Sequence, residues 1–195
     1  DYFLETNSLA PRIGAILDGM DEGSDTSLRE ASNAILEVFE GGDIPKDLET
    51  QIVEEYDRLF GGTRDYGLVA VRSSATAEDL PTASFAGQQD TFLNVCSPQD
   101  LLEKVKRCWA SLFTPRTMVY RTRKGFDHDK VKLAVIVQKM VKSDISGIMF
   151  TVDPNSELPH IIIEAGYGLG EALVSGRVTP DTYVVDKFHK RIINK

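Results

Sequence analysis

An arginine followed by loops of small and hydroxyl residues is the part of this sequence best suited to chemistry. Arg72 directly follows the apolar run 68–71, and a pair of serines comes next. Further along, Gly87 opens a turn that leads into a second apolar run, Thr91–Val95. A guanidinium offers a planar fork of donors, and hydroxyls and backbone N–H groups at small residues add more. This order predicts a phosphate site containing Arg72, Gly87 and Thr91.

The same pattern leaves structural alternatives open. Arg72 also suits an ion pair with Glu78 or Asp79, and Gly87 also suits a plain turn before a strand. Residues 67–195 carry 17 basic and 14 acidic side chains, and this mildly basic balance favours a small anionic ligand.

Gln138 is a polar exception in the apolar run 133–140. In a regular strand it shares a face with Ala134, Ile136 and Met140. A buried glutamine needs hydrogen-bond partners. The residues alone favour a core glutamine satisfied by the backbone, and a ligand is the alternative.

Two glutamates, Glu164 and Glu171, bracket the glycine-rich loop 166–170. The loop has no βαβ context, so it resembles a dinucleotide fingerprint in outline only. Glycines with acids on either side can approach a nucleotide and magnesium. The alternatives are an ion pair with Arg177 or a role at the start of a helix through 172–174.

Composition excludes several classes of protein. The 195 residues are 42% hydrophobic and 27% charged, as in an ordinary globular domain. A net charge of −8 argues against nucleic-acid binding, and the apolar runs are too short to span a membrane. Cys96 and Cys108 lack metal spacing, and no basic-apolar leader begins the chain. These features predict a cytoplasmic protein without metal ligands of its own.

The pattern of elements predicts an α+β fold. Residues 1–66 carry 16 acids and 5 bases and contain two dominant helices, one capped by Thr26 or Ser27 and one beginning after Pro45. A third helix opens at Ser97, and a basic helical segment follows at 116–124. Its cluster of Arg121, Arg123 and Lys124 predicts a solvated face, and guiding phosphates is the alternative. The predicted strands are 68–71, Thr91–Val95, 133–140, 147–151, 160–164, 182–185 and 191–193.

Four motifs in unbroken order resemble a known family. They are VRSSATAEDLP with SFAGQQDTFLNV, GFDHDKVKLAVIVQKMV, SGIMFTVDP, and EAGYGLGEALVSGRVTPDTYVV. Together they resemble the ATP-binding domain shared by phosphoenolpyruvate synthases, pyruvate phosphate dikinases and rifampicin phosphotransferases. Because the motifs cover the last two thirds of the chain, this is a far stronger signal than a lone glycine loop.

The resemblance implies a fold and a set of site residues. It implies an ATP-grasp-like nucleotide-binding region at 67–195, a fragment of a larger domain, with the acidic helical segment 1–66 packed on it. Arg72 then matches a position that contacts the polyphosphate, and Gly87 and Thr91 match nucleotide-contacting positions. Gln138, with the backbone of Lys139 and Met140, matches the strand beside adenine, and Glu164 and Glu171 are nucleotide-side candidates.

The resemblance also implies an activity for a longer protein. It implies the ATP-binding fragment of a phosphoenolpyruvate synthase, which uses ATP and Mg²⁺ and passes a phosphoryl group through a histidine on a separate swivelling domain to a small-molecule acceptor. The alternatives are a rifampicin phosphotransferase and a non-catalytic nucleotide-binding module. No motif of the swivelling domain occurs here, so the sequence predicts a piece cut at both ends, with metal ligands mostly beyond Lys195.

Overall fold

The chain folds into two compact units. The computed structural model describes residues 1–195 apart from 63–66, 76–78, 81–82, 85–89, 127–130, 155 and 157. Its first unit is Asp1–Met140 and its second is Val141–Lys195. Both units combine helix with antiparallel strands, which confirms the predicted α+β class. The sequence also predicts a boundary between a helical segment, 1–66, and a nucleotide-binding region, 67–195. The two compact units do not test that boundary, so it stays a prediction.

Helices dominate the first unit. They are α1 (Tyr2–Thr6), α2 (Ala10–Asp18), α3 (Asp25–Glu40), α4 (Lys46–Leu59), α5 (Pro98–Ala110), a 3₁₀ turn (Ser111–Phe113) and α6 (Pro115–Lys124). The apolar stripe of α3 is buried as its spacing predicts. The two short helices α1 and α2 were not predicted, because they depend on burying Phe3, Leu9 and Ile13 in the core shared with α3. Within the described ranges, no helix has both the length and the apolar character that crossing a membrane requires.

The N-terminal cap of α3 is Ser24. Its Oγ accepts a hydrogen bond from the backbone N–H of Ser27 at 3.3 Å. The Ser27 hydroxyl instead accepts the N–H of Asp21 at 2.9 Å. The predicted cap at Thr26 or Ser27 is therefore wrong, because the helix begins before the first residue of its apolar stripe.

Replacing this cap tests the assignment. Ser24→Ala is expected to lower the free energy of unfolding by about 1 kcal/mol, because an N-terminal N–H of α3 loses its acceptor. The exposed Thr26 is the matched control, and Thr26→Ala is expected to change stability by less than about 0.5 kcal/mol. Urea unfolding at pH 7 measures both, and equal losses in the two variants would contradict the cap at Ser24.

The basic cluster at the end of α6 divides between solvent and core. Arg123 and Lys124 are exposed, as predicted for a solvated face. Arg121 is fully buried, so the prediction is wrong for this residue. It falls on the face of α6 that also buries Met118 and Thr117, three and four residues earlier. A cluster of charged residues in a sequence normally predicts a face exposed to solvent, and Arg121 is an exception.

Three antiparallel strands form the sheet of the first unit, in the order β4-β1-β5. They are β1 (Val69–Ala75), β4 (Thr91–Val95) and β5 (Leu133–Lys139), and a two-stranded ribbon pairs β2 (Asp79–Leu80) with β3 (Ala83–Ser84). One face of the larger sheet is covered by the core that includes α5. The side chains buried there are Tyr56, Val69, Val71, Val95, Leu101, Val105 and Cys108.

The second unit is an antiparallel meander with strand order β6-β7-β8-β9. Its elements are β6 (Ile145–Phe150), β7 (His160–Tyr167), a short helix α7 (Glu171–Val174), β8 (Asp181–Asp186) and β9 (Arg191–Asn194). Gly166 allows α7 to lie close to β7, because a Cβ there would come within 3.1 Å of the Leu173 side chain. The glycine loop therefore folds back against this sheet.

Candidate nucleotide site

One face of the β4-β1-β5 sheet is polar and open to solvent. Arg72 lies opposite Thr91 on β4 and opposite Ile136 on β5, and Ala70 lies opposite Gln138. Residues opposite each other in an antiparallel sheet share a face. The structure therefore brings together three of the residues singled out in the sequence, Arg72, Thr91 and Gln138, and all three are exposed.

Arg72 and Gln138 contact each other directly. The guanidinium Nη1 of Arg72 donates a hydrogen bond to Oε1 of Gln138 at 3.3 Å. The residues alone favoured a core position for Gln138, and that interpretation is wrong because its side chain is exposed. The strand alternates, so that Leu133, Val135 and Val137 pack on the covered face and Gln138 projects to the open face.

The side chain of Lys139 and the main-chain N–H of Met140, unlike the side chain of Gln138, are not presented on the open face. Lys139 lies on the covered side, where its Nζ is 4.9 Å from the centre of the Phe60 ring. A ligand on the open face would therefore meet Lys139 through its backbone, as the sequence analysis expected. The Met140 N–H donates to the Leu68 carbonyl at 2.9 Å, and the Met140 sulfur accepts the N–H of Asn94. The main-chain donor of Met140 is thus already used within the sheet.

Gly87, the remaining candidate around the phosphate site, lies outside the described residues. So do the neighbouring turn residues Gln88 and Gln89. Among the described residues, the Ser73 hydroxyl donates to the backbone carbonyl of Asp90 at 3.2 Å. This bond joins β1 to the residue that leads into β4, and it fixes the start of the strand that carries Thr91.

Asp90 has a perturbed carboxyl group. Partial burial raises its pKa, and the positive charge of Arg107 lowers it by a smaller amount. Asp90, Arg107 and Ser111 lie around a small cavity of about 150 Å³. The carboxylate is less hydrated in the folded chain than in the unfolded chain. The positive charge of Arg107 compensates for only part of this lost hydration.

Neutralising this carboxyl is expected to stabilise the fold at neutral pH. A raised folded pKa means that the folded state binds the proton more tightly, so stability falls as pH rises from about 4 through the folded pKa. Because Asp90 remains exposed and solvent screens its charge, Asp90→Asn should raise the free energy of unfolding by at most about 0.5 kcal/mol at pH 7, with a smaller gain at pH 4. Urea unfolding at both pH values measures the effect. The exposed Glu54→Gln is the control, and an equal gain at both pH values would contradict the argument.

The two acidic candidates lie in the second unit. Glu164 is half-buried on β7, opposite Ile148 and Thr182. Glu171 begins α7 and forms an ion pair with Arg177, so one of the structural alternatives for this residue is present. In the loop between them, Gly168 has a positive φ of 82° and donates its N–H to the Asp144 carbonyl at 2.9 Å. This bond anchors the loop beside β6.

No metal centre is evident in the described part of the chain, where no group of three or more His, Cys, Asp or Glu side chains is placed to hold an ion.

The open face of the sheet also carries one candidate side chain that the sequence did not reveal. Ile136 lies opposite Arg72 and is 49% exposed. An exposed isoleucine on a strand of alternating burial supplies an apolar surface beside polar groups. Its position on the same face as Gln138 was the available signal.

Comparison with known proteins decides the family. The family described as "Pyruvate phosphate dikinase, AMP/ATP-binding domain" matches residues 1–195, the whole chain. The chain belongs to this family. The pyruvate phosphate dikinase AMP/ATP-binding domain therefore includes the first unit, with its open polar face, and the second unit, with its glycine loop. This confirms the resemblance found in the sequence motifs.

Several relatives of this dikinase-family domain are similar over nearly its full length. A probable phosphoenolpyruvate synthase of Methanothermobacter thermautotrophicus is 48% identical over 96% of the chain, and one of Methanocaldococcus jannaschii is 47% identical over 100%. A phosphoenolpyruvate synthase of Aquifex aeolicus is 50% identical over 95%. The chain spans 28%, 16% and 22% of these relatives' lengths, respectively.

Proposed function

We propose that this chain is the ATP-binding part of a phosphoenolpyruvate synthase with an ATP-grasp-type fold. The observation that carries the proposal is the open face of β4-β1-β5, where Arg72, Thr91 and Gln138 come together in a chain of the AMP/ATP-binding family. The names of the similar proteins support the synthase over a rifampicin phosphotransferase.

The open face suits a nucleotide polyphosphate at Arg72. A guanidinium donates several hydrogen bonds in a plane and keeps its charge at every physiological pH, so it can hold phosphate oxygens. The Thr91 hydroxyl lies across from it as a further donor. We place Gly87 in the turn before Thr91 that approaches the phosphates, because glycine lets backbone N–H groups come close to oxygen.

The base of the nucleotide is proposed to lie toward Gln138 and Ile136. An amide side chain can both donate to and accept from adenine, and the apolar Ile136 can pack against the ring. The backbone of Lys139 and Met140 borders this position. Met140 would act there through its carbonyl, because its N–H is engaged with Leu68.

The remaining parts of the proposal concern magnesium and the larger protein. Mg²⁺ would neutralise the polyphosphate, and Glu164 and Glu171 are acids that we assign to the nucleotide. In the complete protein, ATP, pyruvate and water would give phosphoenolpyruvate, AMP and phosphate. The phosphoryl group would pass through a histidine of a swivelling domain, and residues 67–195 would supply the nucleotide-binding region beside the helical segment 1–66.

Product analysis of the complete gene product tests this function. With ATP, Mg²⁺ and pyruvate, ³¹P NMR is expected to show phosphoenolpyruvate, AMP and phosphate in equal amounts. Replacing pyruvate with rifampicin should give no phosphorylated product. Formation of ADP, or of pyrophosphate that depends on added phosphate, would contradict the synthase, and transfer to rifampicin would favour the other branch.

A further inference from the structure

A groove of about 420 Å³ lies between α3 and α6, and its described lining residues include none from the β4-β1-β5 sheet. Three arginines line this groove, Arg29 from α3 and Arg116 and Arg123 from α6. Asp25 supplies the one carboxylate among the described lining residues. The groove therefore gathers positive charge, although the chain as a whole has a net charge of −8.

The spacing of residues along α6 places its two groove arginines on one side of the helix. Arg116, Val119, Tyr120 and Arg123 all line the groove, and the intervals of three and four residues between them align side chains on a single face. Two helical turns separate the arginines, a rise of about 10 Å along the axis. Both arginines are exposed, so their guanidinium groups are available at separate points of the groove.

Two of the three arginines have no partner among the described residues. Arg29 pairs with Asp25, with Nε 3.3 Å from Oδ2, but Arg116 and Arg123 make no hydrogen bond or ion pair within the described part of the chain. Arg116 also lies in the first turn of α6, where the helix dipole favours an anion over a cation. Like charges that share a groove repel each other, and an anion bound between them replaces this repulsion with attraction.

The lining of the groove favours a small oxyanion with several charges. Each guanidinium presents a planar fork of N–H donors that matches two oxygens of a phosphate group. Because Arg116 and Arg123 are two turns apart, a ligand that contacts both needs charge on more than one group. Val119 and Tyr120 add apolar surface between the two arginines, and the volume of the groove lies in the range of small-molecule sites.

We propose that the groove between α3 and α6 binds a small molecule that carries two or more phosphate groups. Arg116 and Arg123 hold the phosphates, and Arg29 adds a further donor when it leaves Asp25. None of these residues is among those proposed to bind ATP, so the inference is independent of the synthase activity.

Calorimetric titration of the complete gene product with inorganic pyrophosphate, in magnesium-free buffer, tests the proposal. Every protein in the series carries Arg72→Ala, so that the proposed nucleotide site does not contribute. Adding Arg116→Gln and Arg123→Gln together should weaken binding at least roughly tenfold, because charge-assisted contacts are lost. The matched control adds Arg12→Gln and Arg58→Gln, which removes the same charge from exposed positions outside the groove and should change binding less than about twofold.

A substitution of opposite sign gives a second readout. Asp25→Asn removes the carboxylate of the groove and frees Arg29, so pyrophosphate should bind roughly threefold more tightly. Glu30→Gln is the matched control, because Glu30 is an exposed residue of α3 that does not line the groove. It removes the same negative charge and should leave the affinity nearly unchanged.

Three results would overturn the proposal. Equal affinities of the arginine double variant and its parent would show that pyrophosphate does not bind in the groove. An equal gain from Asp25→Asn and Glu30→Gln would assign the effect to net charge alone. Citrate binding as tightly as pyrophosphate would exclude a site built for phosphate. Circular dichroism verifies that each variant is folded, and the Asp25→Asn comparison decides the question if the arginine double variant does not fold.

Discussion

Arg72→Ala is expected to weaken ATP binding by about 1.5–3 kcal/mol, or roughly 10- to 150-fold, with the fold intact. The guanidinium projects from the open face of the sheet, and Gln138 is its hydrogen-bond partner among the described residues. Removing the guanidinium therefore leaves no buried group without a hydrogen-bond partner among the described residues. The loss should fall on the charge-assisted contacts to phosphate, which are stronger than neutral hydrogen bonds.

Calorimetric titration of the 195-residue chain with ATP and Mg²⁺ measures this loss. Lys139→Ala is the matched control, because this cation follows Gln138 in sequence yet lies on the covered side over Phe60. Arg72→Lys should recover only part of the affinity, since an ammonium does not reproduce the planar fork. If Arg72→Ala and Lys139→Ala bind ATP equally well, the phosphate site is not on this face.

A second substitution examines the hydrogen bond between Arg72 and Gln138. Gln138→Ala frees the guanidinium from its partner as well as removing the proposed contact to the base. Comparing the two single variants with the double variant gives the coupling between them. A coupling near zero would indicate that Gln138 binds nucleotide independently, whereas a large coupling would indicate that it also positions Arg72.

The strands were predictable because they are short apolar runs. The run 133–140 predicts β5 in this way, whereas the alternation of Leu133, Val135 and Val137 with residues of the open face is seen only in the structure. The predicted runs coincide with β1, β4 and β5 to within a few residues, and with the four strands of the second unit. Turn residues between the runs mark where each strand ends.

The side of the sheet that each residue occupies was harder to predict. Gln138 looked buried because its neighbours are apolar, but an edge strand covered on one face only leaves alternate residues in solvent. Arg121 looked solvated because it lies among other cations, and only the packing of α6 shows that it is buried. In both cases the burial of the side chain depends on tertiary packing, and a local sequence pattern contains no information about that packing.

The candidate site was predictable in its residue types more than in its arrangement. The arginine, the threonine and the glutamine were all named from the sequence, and pairing in the sheet brings them to one face. The resulting side-chain hydrogen bond joins Arg72 to Gln138, which lies 66 positions further along the chain. The sequence motifs indicate that these three residues belong to one site. Only the register of the strands shows how they are arranged.

Arg121→Met is expected to raise the free energy of unfolding at pH 7 by about 1–3 kcal/mol. The Arg121 side chain is 0% exposed, and its three guanidinium nitrogens have no hydrogen-bond partner among the described residues. The Phe113 ring, 5.1 Å from the guanidinium carbon, offsets part of the cost through a cation–π contact. Methionine has similar length and flexibility without the charge, so it should fill the same space.

The pH dependence of Arg121 fixes where this gain appears. Burial lowers the pKa of the guanidinium to about 10, so the group is still charged at pH 7. A lowered pKa on a cation destabilises the fold fully below pH 10, and the effect fades only as pH rises toward the ordinary value. Urea unfolding at pH 7 therefore measures the whole effect. Arg123→Met, on the exposed side of α6, should change stability by less than about 0.5 kcal/mol. A loss of stability in Arg121→Met would instead mean that the buried charge has a partner it needs.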